Sequence, residues 1–278
     1  ISIISEGNFM GFSVLISLYI KEKPEYLDRC FLSIYEQTLP ADEIVLILDG
    51  DITVELNFII QKWSKILPIK VFSLSKNVGL GKALNIGLEK CQHDIVLRMD
   101  TDDICINTRF EVQYKYLAAN PDIAILGSHI NEFIDNENCY SGRRLVPCIN
   151  PEIKKYSQKR NPFNHMTVAF RKCVIEKVGG YKHHHFMEDY NLWLRVIAAG
   201  YQVENINQCL VKVRVGKEML ERRSGIEYIK SEYKLATLKY KLGIQKSSDA
   251  LIIFLIRAIP RLFPISMLGV FYKNLRKG

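Results

Sequence analysis

Between Phe12 and Met99, short apolar runs alternate with stretches whose apolar residues recur every three or four positions. The runs are Phe12–Tyr19 (FSVLISLY), Ile44–Leu48 (IVLIL), Ile69–Ser73 and Asp94–Met99. β-Branched and aromatic residues dominate them, the composition of strands. Pro24 opens a helical pattern with Leu27, Cys30, Phe31, Ile34 and Tyr35 on one face, and Pro40 closes it. Further helices are expected at Val54–Ile66 and Lys82–Cys91. This alternation predicts an α/β fold: a mostly parallel sheet, helices on both faces and right-handed crossovers. Ligands of such sheets gather beyond the carboxyl ends of the strands. Asp49 and Asp100, each just past a strand, therefore border the expected crevice.

Beyond Asp103 a helix is predicted over Arg109–Ala119 and extended chain over Ile123–Ile134. Asn136–Ser157 is polar and reads as loop. A strand lies within Phe163–Phe170, then a helix over Lys172–Val178 stopped by Gly179-Gly180-Tyr181. A helix over Glu188–Ala199 and a strand over Val203–Val215 complete an α/β domain at 1–218. The tail, 219–278, differs. Tyr228–Leu242 reads as a basic helix, and Leu251–Tyr272 is apolar but broken by Arg257, Pro260, Arg261 and Pro264. A spanning helix needs about 20 apolar residues with few charges. The expectation is an amphipathic segment lying in a membrane interface, with Lys273, Arg276 and Lys277 against anionic headgroups. A helical pair docked on the core is the alternative.

Composition narrows the choice of partner. A net charge of +8 suits an anion: nucleic acid, a phosphorylated small molecule or an anionic membrane. The seven cysteines are scattered and never spaced C-x-x-C, which argues against zinc ribbons and for reduced thiols in a cytosolic compartment. Ile1–Gly11 has no basic start followed by an apolar run, so no signal peptide is expected there.

Asp100, Asp102 and Asp103 place three carboxylates within four residues. They repel one another unless a cation lies between them, and hard oxygen ligands suit Mg2+ or Mn2+ carrying a diphosphate. An acidic surface turn is the plain alternative. Glu188-Asp189 opens a predicted helix, where acidic residues also serve as caps. No Walker loop and no G-x-G-x-x-G after the first strand is present, so kinase and dehydrogenase readings lack their motifs.

In order, FSVLISLY, ILDG, NVGLGKALNIGL, RMDTDD and GGY…MEDYNLWLR resemble the motifs of family-2 glycosyltransferases of the GT-A fold. The resemblance covers about Phe12 to Val215, a nucleotide-binding half at 12–103 and an acceptor-binding half at 104–218. Within the family the chain looks most like bacterial enzymes that build O-antigen and exopolysaccharide repeat units, such as the amylovoran-biosynthesis type. The resemblance implies an inverting, metal-dependent transfer of a hexose or N-acetylhexosamine from a UDP-sugar. The implied acceptor is a sugar on a polyprenyl diphosphate at the cytoplasmic face of the inner membrane, and nucleic acid is not an expected partner. By the same resemblance Tyr19 and Asp49 hold the nucleotide, Asp100 contacts ribose or the metal's water shell, and Asp102 ligates Mn2+ or Mg2+. Asp189 is the implied base, with Glu188 holding the acceptor.

For Asp49 an Asp-Gly turn is the structural alternative. Lys82, among glycines that permit close backbone approach, can answer phosphate charge or simply be solvated. Arg98 can pair with the acidic run. His165, in Asn161-Pro162-Phe163-Asn164-His165-Met166, either faces the diphosphate or acceptor or is a structural histidine. His183-His184-His185 reads as a mobile loop over the site, since three adjacent residues seldom converge on one ion. Trp193 reads as core. Two further functions stand as alternatives: a non-catalytic nucleotide- or anionic-lipid-binding module, and a nucleotidyltransferase.

Overall fold

A computed structural model describes residues 11–216 and 225–262. Four parallel strands form the first half of the sheet: β1 (Phe12–Leu18), β2 (Glu43–Leu48), β3 (Ile69–Ser73) and β4 (Ile95–Met99), in the order β3-β2-β1-β4. Every residue of β2 and β4 is buried, which is why these segments are apolar without alternation. Side chains of β1 still divide by parity. Val14 and Ile16 pack with Phe31 and Ile34 of α1 (Pro24–Tyr35), Leu56 and Ile60 of α2 (Val54–Trp63) and Phe110 of α4 (Arg109–Ala119). Leu15 faces the other layer, against Ala83 and Leu84 of α3 (Leu80–Lys90). Gly87 lets α3 sit close: a Cβ there would meet Leu15 Cδ1 at 2.4 Å.

Registers align the strand ends. Leu18 pairs with Leu48, and Ile16 with Met99, so Tyr19, Asp49 and Asp100 emerge along one edge. The second half is mixed rather than parallel. β8 (Ala169–Arg171) runs antiparallel between β4 and β6 (Ile123–Phe133), and β9 (Gln202–Arg214) lies parallel to β6. The two-residue β5 (Ile104–Cys105) pairs with β9 and draws the acidic run toward Arg214.

The polar stretch Asn136–Ser157, expected as loop, holds β7 (Tyr140–Arg144) and α5 (Asn150–Ser157). Strand β7 is a half-exposed edge, so it carries no apolar signature. α6 (Lys172–Lys177) and α7 (Glu188–Ala198) follow the predicted spans closely, and Trp193 of α7 is fully buried. In the tail, α8 (Gly225–Lys241) packs Tyr228 and Leu235 against Met187, Tyr190 and Leu194 at the head of α7. α9 (Ser247–Ala258) follows and is tied back by Arg257, which grips buried Glu232 of α8 with two hydrogen bonds of 2.7 Å. Residues 263–278, including the basic end of the tail, lie outside the described residues.

Candidate active site

Both acidic motifs sit at helix or strand ends that open on the same edge. The Asp49-Gly50 turn after β2 is left-handed at Gly50 (φ 89°), and a Cβ there would lie 2.8 Å from the Asn77 backbone nitrogen. Asp49, buried beneath this turn, accepts hydrogen bonds from Val78 N at 2.6 Å and Gly79 N at 3.0 Å. It thereby fastens the loop that leads into α3. The turn reading is thus realised, with both carboxylate oxygens of Asp49 engaged by the backbone of the 78–79 loop. Lys82 is exposed on the first turn of α3, and Tyr19 is half-buried at the end of β1.

At the end of β4, Arg98 is buried and ion-paired with Asp100, the pairing its position suggested. Its Nε has no hydrogen-bond acceptor. Asp103 is fully buried and accepts from Arg214 N at 3.0 Å. Glu22, which the sequence did not single out, joins the cluster by accepting from the Thr101 hydroxyl. Burial, then Asp100 and Glu22, push Asp102 up to about 7. Burial, then Asp102, push Asp103 well above the usual carboxylate range. These carboxylates crowd together with too little positive charge, which is the electrostatic setting of a cation site. Among the described residues no three His, Cys, Asp or Glu side chains form a ready-made cage. Two carboxylates at the end of a strand still fit Mg2+ or Mn2+ whose remaining positions are filled by phosphate oxygens and water, the usual habit of Mg2+.

Glu188 and Asp189 start α7. Glu188 lies against the start of α3: a Cβ on Gly81 would be 3.4 Å from Glu188 Cβ. Burial, then the neighbouring Asp189, push Glu188 up to about 7. Burial also raises Asp189, opposed by hydrogen bonds from Tyr190 N and from Asn161 Nδ2, each 2.7 Å. Arg98 bears on both motifs at once. Its charge favours the ionised forms of Asp102, Asp103, Glu188 and Asp189. Tyr181 likewise feels Arg98, Asp189, Glu188 and Asp100. The two acidic groups, 85 or more residues apart in sequence, are therefore brought within electrostatic reach of the same buried arginine.

The loop between α6 and α7 is firmly held. Asn85 of α3 donates to Tyr181 O and accepts from Tyr181 N, both at 2.7 Å. His165 Nε2 lies 3.0 Å from the Tyr181 hydroxyl, and its ring packs against Tyr181 and Trp193. Burial, then Arg98, hold His165 well below the usual histidine range, so it is neutral. This is the environment of the structural alternative for His165. Of the three adjacent histidines, His183 and His185 are exposed, while His184 is buried between Ser231 O (2.9 Å) and Asn191 Nδ2 (3.1 Å). The expected mobile loop is thus corrected to one pinned to α8. Its partners lie 7 and 47 residues along the chain, beyond the reach of a local pattern.

The fold is that of GT-A glycosyltransferases. It superimposes on S. aureus TarS residues 1–349 in complex with UDP-GlcNAc with a TM-score of 0.67, at 17% identity, over 91% of this chain and 72% of that one. It also matches mannosyltransferase PcManGT from Pyrobaculum calidifontis in complex with GDP-Man and Mn2+, with a TM-score of 0.63 at 16% identity over 95% and 79% of the two chains. Residues 13–182 match the model of Glycosyl transferase family 2, more than half of the chain, and the protein belongs to that family. It is 46% identical to the amylovoran biosynthesis glycosyltransferase AmsE of Erwinia amylovora, over 96% of this chain and all of the relative. It is 44% identical to a UDP-Gal:alpha-D-GlcNAc-diphosphoundecaprenol beta-1,3-galactosyltransferase of Escherichia coli, over 95% of each.

Proposed function

We propose that this chain is an inverting, metal-dependent glycosyltransferase of O-antigen or exopolysaccharide repeat-unit synthesis. It moves a hexose or N-acetylhexosamine from a UDP-sugar to a sugar carried on a polyprenyl diphosphate. The observation that carries the reading is Arg98, which is ion-paired with Asp100 and whose charge also acts on Glu188 and Asp189, so that one cation serves both acidic motifs. Near-full-length similarity to a galactosyltransferase named for such a donor and acceptor supports the substrate classes.

In this reading Tyr19 and Asp49 border the nucleotide, Lys82 and Arg98 answer the diphosphate, and Asp100 contacts ribose and the metal shell. Asp102, with Asp100, holds Mn2+ or Mg2+. The metal supplies Lewis-acid neutralisation of the leaving diphosphate. Glu188 orients the acceptor sugar, and His165 supports the crevice wall on the acceptor side. Asp189 takes the proton of the acceptor hydroxyl as that oxygen attacks the anomeric carbon from the face opposite the diphosphate, and a single displacement inverts the centre. Burial suits Asp189 to this work, because a carboxylate with raised proton affinity is the stronger base. The testing experiment is a panel of UDP-sugars offered with synthetic lipid-diphosphate GlcNAc or GalNAc acceptors. Transfer from one donor with a β-linked product from an α-linked donor is expected. Donor binding without transfer to either acceptor points instead to a binding module.

The tail, 219–278, is proposed to seat the catalytic domain, 1–218, on the cytoplasmic face of the inner membrane. No helix among the described residues is long and apolar enough to cross a bilayer. Leu251, Ile252, Leu255 and Ile256 are nonetheless all exposed and recur along one face of α9, and Ile259 just beyond its end is exposed as well. Deleting 251–278 would strand buried Glu232 without Arg257, so point changes are the better probe. Ile252→Glu with Ile256→Glu is expected to weaken co-sedimentation with phosphatidylglycerol vesicles about tenfold or more, since each isoleucine buries on the order of 1.5–3 kcal/mol when fully covered. Unchanged sedimentation moves the anchor elsewhere.

A further inference from the structure

Asn161 lies in the segment between β7 and β8 that the sequence could only group with His165. Its side-chain amide donates to Asp189 Oδ2 at 2.7 Å, and its Oδ1 accepts from Phe163 N at 3.3 Å. Its backbone oxygen accepts from Arg144 Nη2 at 2.9 Å. The other carboxylate oxygen of Asp189 accepts from Tyr190 N at 2.7 Å. Each oxygen of Asp189 is thus fixed by one donor, one from its own helix and one from a distant loop.

We propose that Asn161 is a positioning residue for Asp189, holding its carboxylate in one rotamer by a hydrogen bond to Oδ2 while Arg144 holds the Asn161 backbone in turn. The proposal rests on the reading of Asp189 as the base. With both oxygens tied, the carboxylate plane is held, and each oxygen keeps a further lone pair to accept a proton. The same hydrogen bond favours the ionised form, opposing the burial that raises Asp189. Asn161 therefore works against the rise in proton affinity that would keep Asp189 protonated. The charged and titratable groups that face Asp189 are Arg98 from β4, Arg144 from β7, Tyr181 and His184 from the loop before α7, and its chain neighbours Glu188 and Tyr190. Among the described residues, Asn161 supplies a hydrogen bond to Oδ2, at 2.7 Å.

The test follows the Asp189 carboxyl carbon by 13C NMR in the full-length protein without ligand, identified by its loss in Asp189→Asn. In Asn161→Ala it is expected to titrate about one unit higher than in wild type, the order of effect of one hydrogen bond to the ionised form. Asn161→Asp, nearly isosteric and therefore a check on folding, sets a second carboxylate beside the first and is expected to shift it further upward. The acid limb of the pH profile of transfer by Asn161→Ala is expected to move up by about one pH unit, so that transfer lost at low pH recovers as pH rises, with KM for the UDP-sugar unchanged. Coincident titrations in wild type and both variants overturn the proposal, as does a loss of transfer that is equal at every pH. If Asp189→Asn itself retains transfer, the base assignment falls instead, and the NMR titration still decides whether Asn161 tunes Asp189.

Discussion

Asp189→Asn is expected to bind UDP as wild type does and to lose transfer by about 10²- to 10⁴-fold, the range a positioned base supplies. The substitution keeps size and the hydrogen bond from Tyr190 N, so α7 should start where it does now. What it removes is the ability to take a proton, together with the acceptor for Asn161 Nδ2. The nearest alternative, Glu188, is pushed up to about 7 by burial and by Asp189, and its side chain packs toward Gly81 at the head of α3. Removing the charge on Asp189 lowers Glu188 toward its ordinary value, which makes it a weaker base and an unlikely substitute. Isothermal calorimetry with UDP and a transfer assay on the same preparation separate the two effects. Full activity in Asp189→Asn would sink the mechanism.

Asp102→Asn is expected to abolish the response of transfer to Mn2+ or Mg2+ and, in the same molecule, to raise thermal stability above neutral pH. The sign follows from the folded environment. Burial, Asp100 and Glu22 push Asp102 up to about 7, so the folded protein binds its proton more tightly than the unfolded chain does, where a carboxyl titrates near 3.9. Wild type therefore loses stability as pH climbs from about 4 to 7, and the whole penalty is present above that. The neutral amide escapes it. In chelator-treated protein the melting temperatures of variant and wild type should coincide at pH 4 and diverge by pH 8 in favour of Asp102→Asn. Each kcal/mol is worth roughly 2–4 °C in a domain of this size. Metal should stabilise wild type and leave the variant unmoved. A variant that still responds to metal removes Asp102 from the ligand set.

The β1, β2 and β4 runs were legible because a strand buried on both faces is apolar at nearly every position. The places of Asp49 and Asp100 after β2 and β4, and of Glu188-Asp189 at the start of α7, follow from the same patterns. Strand β7 and helix α5 were not legible, because both lie at the rim and offer few apolar positions to count. Glu22 escaped notice because it sits in a polar turn, and only its bond with the Thr101 hydroxyl, 79 residues away, gives it a place in the acidic cluster. Asn161, Arg144 and Tyr181 carry no local signal of partnership with Asp189 or with one another.

The amino-acid order by itself determined the alternating architecture, the strand ends on which carboxylates appear, and the family to which the chain belongs. Those properties depend on periodicity and on short motifs, which are local. The tertiary structure alone decided that the charge of Arg98 acts on two acidic groups, that Asn161 holds Asp189, and that His184 pins the loop before α7 to α8. Burial and charge act through space: how strongly a carboxylate holds its proton depends on which side chains the fold brings beside it, and distance along the chain says nothing about that.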